Sequence, residues 1–531
     1  MGSYLNPGSE RFRTSLRSQI YVDKSLLIRE INKLIRTEQK YVCVSRPRRF
    51  GKSMAADMLL AYYSKAEDTS ALFDSLKISR EASYREHLNQ YDVIKINMQS
   101  FLSGAASVDA MIAKLQRYVS MEVRMEYKDL LYLDTNDFTQ ILMDVHSQTK
   151  RSFIILIDEW DCLFREYAHD TDAQKKYLDF LRMWLKDQSY VALAYMTGIL
   201  PIKKYGSHSA LNMFSEYSMT NPRELAPYFG FTEDEVRDLC RQHDMSFEEA
   251  KAWYDGYELL ELHAGGKTTI HSMYSPKSVV DAMLSHVYDT YWNQTETYEA
   301  LKVYIQMNLD GLKDAVIKML AGESVPVDIG GFSNDMTTFQ CADDVFALLI
   351  HLGYLSYDRE NRCVSIPNRE VSEVYITSIK RMDGWGEVMH SLTASKKLLE
   401  SLWEMDAEAV AEGVDRAHEE ISILKYNDEN SLSCTINLAF YFAREYYTII
   451  RELPTGKGFA DICMIPRQLH ADKPAVVIEL KKNKNAKAAI DQIKQKNYLK
   501  ALEGYKGNLL LVGINYDESK KHTCVIEKME I

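Results

Sequence analysis

Tyr41-Val42-Cys43-Val44-Ser45-Arg46-Pro47-Arg48-Arg49-Phe50-Gly51-Lys52-Ser53 decides how the N-terminal part of this chain folds. The first five residues are apolar and β-prone and read as a buried strand. A basic loop follows, and Gly51-Lys52-Ser53 opens a helix-like stretch, 53–65. A phosphate-binding loop needs backbone N–H groups converging at a helix N-terminus, a lysine that reaches the terminal phosphates, and a hydroxyl for Mg2+. Gly51, Lys52 and Ser53 fill those places, with Arg48, Arg49 and Phe50 completing the loop. Arg46 stands where the common pattern G-x-x-x-x-G-K-[ST] has its first glycine. A basic turn capping a helix would use the same residues, so the reading rests on the strand before and the helix after.

Working outward, three more short apolar runs, 93–97, 153–157 and 191–196, are separated by helix-like stretches such as 171–187. Strands alternating with helices predict a parallel α/β sheet with helices on both faces. Ligands of such sheets bind beyond the carboxyl ends of the strands. Asp158 and Glu159 follow the run 153–157, so Asp158 is placed to hold Mg2+ with Ser53, and Glu159 to orient or deprotonate an attacking water. Asp161 is close enough to help, or to cap the next helix. Thr197, after the run 191–196, is placed to sense the terminal phosphate, although a strand-end threonine needs no such role. Arg46, Arg48 and Arg49 would add positive charge beside the phosphates. The pattern implies ATP and Mg2+ as cofactors.

Beyond residue 228 the pattern becomes helical. Thr232 reads as an N-cap with Glu235 at the capping-box position three residues on. Trp253-Tyr254-Asp255-Gly256-Tyr257 reads as an aromatic turn packed into the core. An amphipathic region, 391–423, leads to a final module that reads helix, strand, strand, helix, strand, strand. Residues 431–531 carry 16 Lys and Arg against 11 Asp and Glu, a net +5, in a chain whose net charge is −12. A basic module on an acidic body permits local phosphate binding.

In that module Asp461 opens the strand 462–465, after a glycine-bearing run at 455–458. Val476-Val477-Ile478-Glu479-Leu480-Lys481 is the next strand. Alternation puts Glu479 and Lys481 on one face and Leu480 on the other, toward the core. Adjacent strands would bring Asp461 and Glu479 to one Mg2+ or Mn2+, with the Leu480 carbonyl as a further ligand. Lys481 would orient the water or steady the transition state of a phosphodiester cleavage. A half-exposed strand can also show Glu-x-Lys with no such role. Glu452, Gln492 and Tyr498 are further candidates, and Lys494, Lys496 and Lys500 are spaced to follow a phosphate backbone.

Together these residues resemble the bacterial AAA-ATPase-like proteins that carry a C-terminal nuclease domain of the PD-(D/E)XK superfamily. The resemblance runs nearly end to end. It rests on Tyr21-Val22-Asp23-Lys24-Ser25, the arginine-rich phosphate loop, Asp158-Glu159 and Thr197-Gly198 in the first part. Phe229-Gly230-Phe231-Thr232, the Trp253 turn and Tyr274-Ser275-Pro276 carry it through the middle. Gly458, Asp461 and Glu479-Leu480-Lys481 carry it at the end. The resemblance implies that Arg46 in place of glycine is the family's own variant. Asp23 and Lys24 are expected to form an ion pair within a turn rather than to lie near the adenine.

Bulk properties agree. A chain of 531 residues exceeds one hydrophobic core. Four segments are expected: a P-loop ATPase core at 1–228, a mostly helical lid- or winged-helix-like region at 229–375, a helical connector at 376–430 and a restriction-endonuclease-like α/β domain at 431–531. No run reaches the roughly 18–20 apolar residues that span a bilayer, so no membrane partner is expected. Eight cysteines without a Cys-x-x-Cys pair argue against a zinc or disulfide framework and for a cytoplasmic setting. The expected function is ATP hydrolysis coupled to a metal-dependent nuclease acting on nucleic acid, DNA in the first place, and a homo-oligomer is compatible with it. The alternative is a nucleotide-dependent switch whose C-terminal module binds nucleic acid or protein without cleaving it.

Overall fold

The computed structural model describes residues 2–202, 211–263, 265–292, 298–307, 309, 311–332, 339–380, 382–420, 429–454, 459–467, 470–495, 508–517 and 521–530. By internal contacts the chain divides into two compact units, Met1–Trp292 with Pro326–Glu370, and Asn293–Val325 with Val371–Ile531. Most of the region 229–375 thus groups with the N-terminal sheet, and 376–430 groups with the C-terminal one.

In the first unit, β1 (Tyr41–Ser45), β2 (Asp92–Asn97), β3 (Phe153–Asp158), β4 (Val191–Gly198) and β5 (Ser215–Tyr217) form one sheet of order β2-β3-β4-β1-β5. Every pairing in it is parallel, as the alternation of strands and helices predicts. Strands β1, β3 and β4 are buried along their whole length, which explains their unbroken apolar runs. The edge strand β5 has only three residues, too few to leave a periodic signal. The helix Lys52–Tyr63 leaves β1 through Gly51, whose φ of +87° suits glycine. Ten of its twelve residues are buried, so it runs through the core rather than over it. Leu59, Tyr62 and Tyr63 pack with Val42, Val44, Leu156 and Leu193, and each large side chain fully buried there contributes roughly 1.5–3 kcal/mol.

Three further strands, β6 (Phe231–Thr232), β7 (Tyr257–Leu262) and β8 (Thr268–Tyr274), make a small antiparallel sheet of order β6-β8-β7. The helix Glu233–Gln242 begins with the expected capping box: Glu235 N–H donates to Thr232 Oγ1, and Thr232 N–H donates to the Glu235 carboxylate at 2.8 Å. The expected Asp23–Lys24 pair does not form. The Lys24 ammonium is buried and needs a partner that shares its desolvation. It finds Glu235 at 2.5 Å and donates to the Pro227 carbonyl at 2.7 Å. Asp23 instead accepts from the Ser25 and Lys77 N–H groups.

In the second unit the amphipathic region is two helices, Gly386–Trp403 and Ala407–Glu420. Met405 breaks them at φ +59°, and Asp406 Oδ1 accepts from Ala409 N–H at 3.0 Å to start the second. The C-terminal sheet runs β9 (Tyr447–Pro454), β10 (Phe459–Pro466), β11 (Ala475–Lys482), β12 (Asn508–Tyr516) and β13 (His522–Glu530), in chain order. Only β11 and β12 are parallel, joined through the helix Ala486–Gln495. The sequence pattern gives β10 to β13 and misses β9. Side chains alternate between two cores. Ile462, Met464, Val476, Ile478 and Leu480 face the helices before the sheet, and Cys463, Val477, Leu509 and Leu511 face Ile490 and Ile493 of the later helix.

Candidate functional site

The carboxyl ends of the parallel strands bring the N-terminal candidates together. The register sets Asn97 beside Asp158 and Val44 beside Thr197, with Ser45 beside Gly198. Asp158 Oδ1 accepts from the Thr197 hydroxyl at 2.6 Å and from Glu159 N–H at 3.1 Å. Thr197 is fully buried, so its hydroxyl is spent on Asp158 in this state. Lys52 is buried at the start of its helix and donates to the Arg46 and Pro47 carbonyls at 3.0 and 2.8 Å. Burial pushes the Lys52 ammonium pKa down, against the pull of Glu159, Asp161 and Asp158.

A cavity of about 500 Å3 opens over this edge, lined by the loop 48–53 and by Glu159. Ile20, Tyr21, Val22, Tyr228 and Phe231 give it an apolar end, which matches the mixed chemistry of a nucleotide. Glu159 sits at φ +54°, a backbone state that a non-glycine residue holds only where its surroundings enforce it. Its carboxylate is ion-paired with the Arg165 guanidinium. Burial works against the Arg165 charge, but Asp161 and Glu159 outweigh it and lift its pKa above the ordinary value.

The C-terminal candidates also meet. Ile462 pairs with Ile478 in an antiparallel register, which, continued by one residue, sets Asp461 opposite Glu479. The Asp461 carboxylate accepts from Leu480 N–H. Glu479 is buried, and its Oε1 accepts from Lys481 Nζ at 2.9 Å and from the Gln492 amide. Gln492 reaches it from the helix Ala486–Gln495. Asn485 Oδ1, which accepts from Ala488 N–H, starts that helix. Residues 455–458, including Gly458, and Lys496, Tyr498 and Lys500 lie outside the described residues, as does the side chain of Glu452. Among the described residues no three or more His, Cys, Asp or Glu gather as a metal-binding group.

Residues 8–207 match the model of a family described as a predicted AAA-ATPase, and residues 428–526 match that of the PD-(D/E)XK nuclease superfamily. Together the matches span more than half of the chain. The chain carries an AAA-ATPase-like domain in its N-terminal part and a PD-(D/E)XK nuclease-superfamily domain in its C-terminal part. An uncharacterized protein of the vnfD 5′ region of Azotobacter chroococcum mcd 1 is 22% identical over 335 residues. That match covers 61% of this chain and 58% of the relative, less than two thirds of its length. Two solved structures from Aeropyrum pernix align at low similarity. The ORC2 protein, in ADPNP–ADP complexes, is 9% identical with a TM-score of 0.29, covering 68% of this chain and 96% of its own. The ORC1 protein in complex with DNA is 10% identical with a TM-score of 0.24, covering 88% and 96%. At these scores the likeness carries no argument.

In the ATPase-like domain, Arg46 does not stand beside the phosphates as the sequence suggests. It is fully buried, donates to the Ser45 and Tyr217 carbonyls at 2.9 and 2.7 Å, and lies over the Phe229 ring. Burial without a carboxylate lowers its pKa to about 9. The rest of the arginine-rich loop is backed in the same way. Arg49 donates to the Tyr291 carbonyl, and Phe50 packs edge-on against Tyr257 at 5.3 Å. Pro47 lies so near Gly353 that a Cβ there would come within 2.8 Å of it. Arg48 and Ser53 are the exposed members that line the cavity. Sequence reading also missed Arg165, since an arginine six residues beyond an acid leaves no periodic signal. Asp161 does not cap the next helix through its side chain; its Oδ2 accepts from Ile199 and Leu200 N–H.

Proposed function

We propose that the chain binds and hydrolyses ATP at the edge of the parallel sheet and uses the nucleotide state to control cleavage of nucleic acid, DNA in the first place, by its C-terminal domain. The observation that carries the ATPase half is the convergence of Lys52, Ser53 and Glu159 on one cavity, with Asp158 next to Glu159 and hydrogen-bonded to Thr197. The nuclease half rests on Asp461 and Glu479 facing each other across paired strands, with Lys481 on Glu479.

Both donor sets are hard oxygens, which suits Mg2+ or Mn2+. At the ATPase site Ser53 and Asp158 would hold the ion. Both hydrogen bonds to Asp158 fall on Oδ1, so among the described residues Oδ2 remains for it. At the nuclease site Asp461 and Glu479 would hold it; two carboxylates suffice for an ion that keeps several waters. When bound, the cation neutralises phosphate charge and makes water a better nucleophile.

The residues do the rest. Lys52 exchanges its carbonyl partners for the terminal phosphates, and the N–H groups at the start of its helix take phosphate oxygens. Arg48 and Arg49 add charge at the mouth. Thr197 holds Asp158 in place and reads the terminal phosphate through it. Glu159 orients the attacking water. In the second site Lys481 steadies the charge that develops on the cleaved phosphate.

The purified protein is incubated with supercoiled, linear and single-stranded DNA in Mg2+ or Mn2+, with and without ATP, beside Lys52→Ala and Glu479→Ala. Expected are cleavage that Glu479→Ala abolishes, and ATP hydrolysis that Lys52→Ala abolishes while deregulating cleavage. Hydrolysis of ATP with no cleavage of any substrate would replace this reading with the nucleotide-dependent switch.

A further inference from the structure

We propose that Arg165 is a positioning residue for ATP hydrolysis, which fixes the Glu159 carboxylate by one oxygen and leaves the other to the attacking water. The proposal rests on the ATPase reading above. The Arg165 guanidinium meets Glu159 Oε2, and no described residue donates to Glu159 Oε1. Both side chains are mostly buried, at 14% and 25% exposure, so the pair is only weakly screened by solvent.

Arg165 is itself held. Its Nε lies 3.6 Å from Asp161 Oδ2, and that oxygen accepts from Ile199 N–H at 3.0 Å and Leu200 N–H at 2.9 Å. Asp161 is fully buried, and a Cβ on Gly198 would come within 2.6 Å of its Oδ1. The Trp160 backbone N–H donates to the Thr197 carbonyl at 3.0 Å, tying the turn after β3 to the end of β4 a second time. The end of β4 thus fixes Asp161, Asp161 stands against Arg165, and Arg165 fixes Glu159. Glu159, at φ +54°, lies in the same tied turn. A glutamate with free rotamers samples the productive geometry only part of the time, and an ion pair that holds one of its oxygens raises that share.

The test compares the full-length parent with Arg165→Met, Arg165→Lys, Glu159→Gln and Arg165→Met/Glu159→Gln. It reads thermal melting, ATP affinity by titration, and single-turnover hydrolysis. Expected for Arg165→Met is a hydrolysis rate lower by about tenfold or more, a part of the 10²–10⁴ that a positioned base supplies, with ATP affinity within about twofold of the parent. Arg165→Lys, which keeps the charge and loses the fork, is expected in between. In the Glu159→Gln background Arg165→Met is expected to bring no further loss, because the group it positions is gone. A folded Arg165→Met that hydrolyses ATP like the parent would overturn the proposal, as would a loss that adds fully to that of Glu159→Gln. Should Arg165→Met fail to fold, Arg165→Lys decides: a lower rate at parental affinity supports the proposal and a parental rate overturns it. A parent without Lys52-dependent hydrolysis would instead remove the ATPase reading, and the proposal with it.

Discussion

Gly256 shows how much one hydrogen atom can decide. Its φ is +112°, and a Cβ there would lie 1.9 Å from the Pro367 carbonyl oxygen. Gly256→Ala is therefore expected to cost about 3 kcal/mol through strain and displaced backbone. Gly265→Ala, at φ +82° with nothing within 4 Å, should cost only about 1 kcal/mol. Thermal melting of the two variants checks the difference, and equal losses would refute the steric argument. At this scale the sequence was readable where chemistry repeats a known spacing. Gly51-Lys52-Ser53, Asp158-Glu159 and Glu479-Leu480-Lys481 fall where the strand and helix periods put them. Arg46, Arg165 and Lys24 were not readable, because their partners Tyr217, Glu159 and Glu235 are chosen by the fold rather than by separation along the chain.

Among the elements, the parallel pair β11–β12 and its crossing helix shape the second site. Gly513 stands level with Glu479 in the register, and a Cβ on it would come within 2.1 Å of the Ala486 carbonyl. The missing side chain lets the helix Ala486–Gln495 lie close on the sheet, and that closeness lets Gln492 reach Glu479. Gly513→Ala should push the helix outward. DNA cleavage should then be lost while ATP affinity stays parental; unchanged cleavage by the folded variant would count against the link between helix seating and Glu479. The strands that carry long apolar runs were legible before the structure. The edge strands β5 and β9 were not, since one is very short and the other, Tyr-Thr-Ile-Ile-Arg-Glu-Leu-Pro, mixes charges and a proline into its run. Edge strands need satisfy only one neighbour, so their sequences are less constrained.

Across the whole molecule, two buried groups behind the arginine-rich loop should give opposite responses to pH. His351 is buried near Arg46, and desolvation followed by the Arg46 charge lowers its pKa to about 3. The unfolded chain binds a proton near 6.5 that the folded chain refuses, so stability falls as pH drops below 6.5. At pH 5 the loss is on the order of 2 kcal/mol. Glu370 accepts from the Tyr291 and Trp292 N–H groups at 2.7 and 2.8 Å, and burial raises its pKa to about 7. The folded chain takes up a proton there more readily than the unfolded one, so this contribution weakens as pH rises from 4.5 to 7. Melting curves between pH 7 and 5 should therefore tilt in opposite senses for His351→Gln and Glu370→Gln relative to the parent. Parallel curves would show that neither group is titrated by folding.

The backing of the arginine-rich loop also bears on what can be inherited as a piece. Phe229, Tyr257, Tyr291 and Gly353, all beyond residue 228, hold Arg46, Phe50, Arg49 and Pro47 in their places. A gene fusion that carried the parallel sheet alone to a new partner would bring the loop without the wall it leans on. Dividing the first unit near residue 228 would separate these contacts, so its two halves are expected to be inherited together.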